Sequence, residues 1–167
     1  MFWARAVYRS RQFFGAFRAR LEEEERAEVA AHLTPTEQHL FYSMDLRDQR
    51  HALDVFRVLK SGGHRDASLL AAALLHDVGK GPIRLWQRVA FVLLRAVSPR
   101  VLRRLARAGD RGWRGALARS LDHAERGAAL AEAAGSAAET VRLIRLHRSV
   151  PGEDVALALQ QAADEAS

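Results

Sequence analysis

The sequence predicts an all-α fold, a single helical-bundle domain, on three observations. Nearly half of the 167 residues are apolar, with Ala, Leu and Arg dominant, 11 glycines and 4 prolines. Apolar residues recur at helical spacing in segment after segment, and the Val/Ile/Thr alternation of strands is sparse. Helix-start signals also recur along the chain. The length suits one domain with a sizeable core and is too short for two ordinary ones.

Trp3, Val7, Phe14, Phe17 and Leu21 share one helical face with arginines opposite, which predicts an N-terminal amphipathic helix. The charge run Leu21–Arg26 then reads as a solvated helix face. Thr34-Pro35-Thr36-Glu37 combines an N-cap, proline at the first helical position and a capping-box acid, opening a helix to about Met44. Asp48 is expected to cap Gln49–Lys60, which stops at Gly62-Gly63. Asp66 is expected to cap Ala67–Val78, with Gly79 ending it. Leu85, Val89, Val92 and Ala96 form an apolar stripe, and Ser98-Pro99 restarts a helix to about Ala108. Asp122 is expected to cap His123–Ala134, which closes at Gly135. Ser136 and Glu139 make a second capping box for a helix carrying His147, and Asp154 starts the last helix, which carries Asp164. Residues 1–44 thus read as N-terminal helices packing on a core domain of residues 45–167, which has a basic helical insertion at about 82–115.

Charge and composition narrow the function classes. The chain has no cysteine, which removes disulfide frameworks and thiolate zinc sites. The strongly apolar run VAFVLL, like the Ala/Leu run LLAAALL, is far below the roughly 20 residues of a membrane span. The N-terminus is broken by arginine every few residues and lacks a signal-peptide apolar region. These features predict a cytoplasmic protein, free or attached peripherally to a membrane. The net charge of +6 is uneven: residues 1–20 carry five arginines and no acid, and residues 81–120 carry ten arginines against Asp110 alone.

One stretch stands apart. LLAAALLHDVGKG ends an Ala/Leu-rich helix with adjacent His76 and Asp77, then Gly79 and Lys80. Burying an imidazole and a carboxylate is costly unless a salt bridge, a hydrogen-bond network or a metal ion pairs with them. His51 lies on the apolar face of its helix with Val55 and Val58, His147 lies near the stripe of Val141 and Ile144, and Asp164 shares a face with Leu157. A lone inward histidine is more often a hydrogen-bonded core residue than a ligand. Several such groups entering one core from different helices need a shared partner, and a metal ion in a helix bundle supplies one.

The ordered set RHALDV around His51, LLHDVGK around His76-Asp77, HAERGAALAEAAG from His123, IRLH ending at His147 and LQQAADE around Asp164 resembles the HD-domain (HDIG) metal-dependent phosphohydrolase superfamily. The resemblance covers about residues 45–167. It implies an HD-type helical bundle in which His51, His76, Asp77 and Asp164 hold one metal. His123 and His147 match the extra histidines of dinuclear members and would hold a second ion bridged by Asp77. The cyclic-dinucleotide branch carries paired histidines and a Gly-Tyr-Pro run where this chain has His147-Arg148 and SVPGED, so the likeness to that branch stops there. Asp164 lies three residues from the end of the sequence, which reads as a frayed end or as a longer native tail. His32, His39 and His64 receive no ligand role and read as surface or packing residues.

The resemblance implies hydrolysis of a phosphate ester or anhydride, of a small nucleotide-like substrate, by hydroxide formed at one or two divalent ions. Imidazole and carboxylate ligands suit Mn, Fe, Co, Ni or Zn, with Mg still within range. Asp77 and Lys80 are the candidate catalytic residues. Lys80 either meets a phosphate as a point charge or caps a helix C-terminus. Two other readings stay open: a di-iron oxygenase on the same ligand set, and a non-catalytic metal-binding module. The basic segments read most simply as amphipathic helices packed on the core with solvated arginines. Arg beside Trp86, Phe91 and Trp113 also fits an anionic membrane surface or a wall that attracts an anionic substrate. Nucleic acid is disfavoured, because the aromatics sit on the apolar faces rather than among the arginines.

Overall fold

The computed structural model describes residues 21–167; the amphipathic helix expected over residues 1–20 lies outside them. Among the described residues there are helices and no strand: α1 (Glu23–Ala30), α2 (Pro35–Ser43), α3 (Leu46–Ser61), α4 (Ala67–Leu75), a 3₁₀ turn (Val78–Lys80), α5 (Leu85–Val97), α6 (Pro99–Leu105), α7 (Trp113–Ala133), α8 (Ala138–Leu146) and α9 (Val155–Ala166). None of these helices is long and apolar enough to cross a membrane.

Starts that depend on one local side chain form where expected. Thr34, Asp66, Ser98 and Asp154 each accept the backbone N–H three residues on, opening α2, α4, α6 and α9. Each such cap is worth about 1 kcal/mol. In α2 the Glu37 carboxylate completes the capping box by accepting the Thr34 N–H at 2.9 Å.

Other expected caps are drawn into longer-range contacts. Asp48 lies inside α3, which begins at Leu46; it is buried, and its carboxylate is gripped by Arg88 of α5. Asp122 is mid-helix, because α7 starts at Trp113 and runs 21 residues. Ser136 donates to Glu37 Oε1 at 2.6 Å instead of capping α8, whose N-cap is Ala137. Glu25, in the run read as solvated, is buried and pairs with Arg50 at 2.7 Å and Arg57 at 3.3 Å. Burial opposes its ionisation, but the Glu22 N–H and the two guanidiniums hold its carboxyl below the ordinary range.

α4 is the centre of the molecule. Leu69 to Leu75 are all buried, so every face of this helix meets protein, which is the behaviour of a helix that is apolar all round. α3 and α8 pack against it, α7 packs on α8, and α9 closes over α3. Val29, Leu33, Phe41 and Met44 of the α1–α2 region join the same core as Leu53, Phe56, Leu74 and Ile144. α4 ends at Leu75, three residues short of the expected Val78, and the chain tightens into the 3₁₀ turn. That turn lies directly on α7. A Cβ on Gly79 would overlap the carbonyl oxygen of His123 and the nitrogen of Gly127. Gly79 is therefore required for backbone contact rather than for ending a helix.

α5 departs furthest from expectation. Its stripe of Leu85, Val89, Val92 and Ala96 faces solvent, and none of its residues is buried. The reason is the ion pair of Arg88 with Asp48, which fixes the rotation of the helix. The side bearing Arg88, Phe91 and Leu94 is turned inward, half-buried.

Candidate metal centre

Three histidines sit in one repeated local arrangement. Nδ1 of His76 lies 2.9 Å from the Ala73 carbonyl, Nδ1 of His123 lies 2.9 Å from that of Ser120, and Nδ1 of His147 lies 2.7 Å from that of Ile144. A carbonyl oxygen only accepts, so each Nδ1 must carry the proton and donate it. The neutral ring then presents a bare lone pair at Nε2, as in metal sites whose second imidazole nitrogen is tied to the backbone. His76 and His147 are C-cap residues of α4 and α8, where the last-turn carbonyls are free to receive such bonds.

The lone pairs converge. His123 Nε2 and His147 Nε2 are 3.2 Å apart. With both protons committed to backbone carbonyls, no hydrogen lies between these nitrogens, and two facing lone pairs call for a cation. His76 Nε2 is buried with no hydrogen-bond partner, although Asp77 Oδ2 is 3.5 Å away and Asp164 Oδ1 is 3.7 Å away. An orphaned buried acceptor beside two carboxylates fits an ion-binding position. The rings of His51 and His76, His76 and His147, and His147 and His123 follow one another at centroid separations of 5.4, 5.4 and 5.1 Å.

Asp77 lies at the middle of this row. It is held at φ −100° and ψ 0°, between α4 and the 3₁₀ turn. Oδ2 is the oxygen near His76, and Oδ1 is 3.6 Å from His123 Nε2. Two groups able to hold an ion result, His51/His76/Asp77 and Asp77/His123/His147. Asp164, in α9 rather than on a frayed end, joins the first through a 2.7 Å contact with His51 Nε2. All six residues expected as ligands are thus brought together. Imidazole nitrogens and carboxylate oxygens form a donor set that suits divalent transition metals.

Electrostatics agree with this assignment. Burial first pushes His123 and His147 down to about 4, with Lys80 and His147 adding to it for His123 and His76 for His147, so both rings are neutral at physiological pH. Burial opposes the charge on Asp77, but the adjacent imidazoles and the Lys80 ammonium hold it ionised well below the usual carboxylate range. His51 is raised: burial pulls it down, while the hydrogen bond to Asp164 and the charges of Asp77 and Asp164 outweigh that.

Lys80 donates to Asp77 Oδ2 and, with His147, Arg148, Gln161 and Asp164, lines a cavity of about 380 Å³ that opens from the centre to solvent. Several residues that support the site carried no sequence signal. Gln161 Nε2 donates to the carbonyls of His147 and Ser149 at 2.9 and 2.6 Å, fixing the turn after α8. Arg126 and Arg119 of α7 donate to the carbonyls of Gly79 and Lys80 at 3.2 and 3.4 Å, tying down the 3₁₀ turn. Gly79 and Gly127 meet where the 3₁₀ turn approaches α7 closely. His32 packs edge-on to Phe56, His39 is exposed and His64 is half-buried beside Gly62, none of them at the centre.

The chain matches no protein-family model, no curated protein and no solved structure.

Proposed function

We propose that this chain is an HD-type metal-dependent phosphohydrolase that cleaves a phosphate ester or anhydride of a small, nucleotide-like substrate. One observation carries the reading. Three backbone-locked imidazoles gather their free Nε2 atoms about a single buried carboxylate: that of His76 is 3.5 Å from Asp77 Oδ2, that of His123 is 3.6 Å from Oδ1, and that of His147 is 3.2 Å from that of His123. His51, His76, Asp77 and Asp164 would hold one divalent ion, and Asp77, His123 and His147 a second. A divalent ion bound there supplies Lewis acidity, lowering the pKa of a water and polarising a phosphoryl oxygen.

The chain's own groups do the rest. Asp77 is held ionised, with Oδ2 near His76 and Oδ1 near His123, so it would be a ligand common to both halves of the centre. Lys80, paired with Asp77, also lines the cavity, where its ammonium would meet a phosphate as a point charge. Arg148, on the cavity wall, adds a second cation. Burial and the nearby charge of Arg95 lower its pKa, so an anion at the rim would relieve that repulsion. These cations favour phosphate chemistry over an uncharged substrate. No Ser or Cys nucleophile is needed.

The test is elemental analysis of the full chain purified without chelator, then a Mn²⁺-supplemented screen of phosphorylated metabolites with oxygen uptake recorded in parallel. Transition metal at one or two equivalents, with release of phosphate, is the expected result. Iron-dependent oxygen consumption with substrate turnover would replace this reading with the oxygenase one. Asp77→Ala is expected to lose both bound metal and turnover; a variant that keeps both removes the proposal.

A further inference from the structure

We propose that the outward face of α5 docks the protein onto an anionic lipid bilayer. Leu85, Trp86, Val89, Val92, Leu93 and Val97 are each between 49 and 83% exposed. On a helical projection they fall on one continuous side, and no charged residue lies among them. A surface helix normally turns its apolar side inward. Here the inward side is fastened by the Arg88 pair with Asp48, and the apolar side is left to the outside. A patch of this kind marks an interaction surface.

Charge identifies the occupant. Arg84 and Arg95 lie beyond one edge of the face, on the side of Arg88, and Arg100, Arg103 and Arg104 follow on α6; all are exposed, and none forms an ion pair with a described residue. Residues 1–20 contain no Asp or Glu, so that segment could not neutralise them wherever it lies. Whatever covers α5 must therefore bring negative charge as well as apolar depth. A second copy of the chain would bring the same unpaired arginines face to face. A nucleic acid would bring charge and nothing to bury six apolar side chains. The interface of an anionic bilayer offers both, acyl boundary for Leu, Val and Trp and lipid phosphates for the arginines. The inference uses none of the chemistry of the metal centre.

The experiment is flotation of the full chain with vesicles of phosphatidylglycerol and phosphatidylcholine, and with phosphatidylcholine alone, at low and high salt. Binding is expected on the anionic vesicles at low salt and to weaken with salt. Arg84→Gln with Arg95→Gln should reduce partitioning on the order of tenfold. Val92→Glu with Leu93→Glu should reduce it at least as much, with thermal melting and metal content unchanged. Absence of binding to the anionic vesicles at low salt overturns the proposal. So does a Val92/Leu93 variant that binds normally, or one that melts earlier, because the face would then be covered by the protein itself. A shift of the wild-type chain to a dimer that the same pair of substitutions dissociates also overturns it.

Discussion

The metal centre and α5 treat their polar and apolar groups in opposite ways. At the centre, ionisable groups are buried and nearly every ring nitrogen and carboxylate oxygen has a defined neighbour: Nδ1 of His76, His123 and His147 on backbone carbonyls, Asp77 on Lys80, Asp164 on His51. On α5, six large apolar side chains are in solvent and the adjacent arginines are unpaired among the described residues. The first region could hold a small ion, and the second is proposed to meet a large surface. Buried groups are expensive to leave unmatched, so most of them are matched, with His76 Nε2 and the Gln160 amide standing out as buried atoms that have no hydrogen-bond partner. Exposed groups carry little such penalty, so α5 can keep its face free without cost to stability.

This contrast can be broken most sharply at Gly79. Gly79→Ala puts a methyl group into the backbone of α7 at His123 and Gly127, and neither is a flexible side chain that could yield. A loss of about 3 kcal/mol is expected from overpacking, together with loss of bound metal as the 3₁₀ turn lifts Asp77 from His123. A melting curve and a metal assay on one sample check both. The next test compares truncations: Leu74→Ala, at the fully buried centre of α4, should cost about 3 kcal/mol. Leu93→Ala on α5 should change stability by less than about 0.5 kcal/mol. Equal losses in denaturant titrations would erase the distinction between the regions.

Acidification tests the centre alone. His123 and His147 ordinarily titrate at 6.5 and are held at about 4 in the folded chain. Below pH 6.5 the unfolded chain therefore takes up protons that the folded chain refuses. The metal-free protein should lose stability as pH falls from 6.5 toward 4. Glu25 and Glu28, lowered from 4.5 by their arginine and lysine partners against the effect of burial, extend the loss to lower pH. His51 is raised and works in the opposite sense, but its contribution changes only above its ordinary 6.5 and is already complete below it, so the slope across this window remains acid-destabilising. Unfolding free energies across this range, with ¹⁵N spectra showing His123 and His147 as neutral Nδ1–H tautomers at pH 6, decide the matter. The smallest effect is expected from Gln161→Ala, which frees the His147 turn without touching the ring: metal affinity should fall about tenfold with melting nearly unchanged.

What the sequence by itself determined is whatever one or two turns of helix can decide. Thr34, Asp66, Ser98 and Asp154 start helices because each cap bonds an N–H three residues away, a contact that local geometry makes available in any context. The all-helical character follows from the same short-range preferences. The six candidate ligands could be named because their ordered motifs resemble the HD-domain pattern, with the cost of burying His76 and Asp77 unpartnered adding a physical reason for that pair. Tertiary structure decided the rest. Asp48 left its expected cap for Arg88, 40 residues on, Ser136 left its own for Glu37, and Glu25 left solvent for Arg50 and Arg57. That the two glycines, Gly79 and Gly127, meet and so bring Asp77 to His123 depends on how the 3₁₀ turn seats on α7. The direction in which α5 faces was equally hidden, since periodicity shows that a helix has an apolar side while an ion pair with a distant residue determines where that side points.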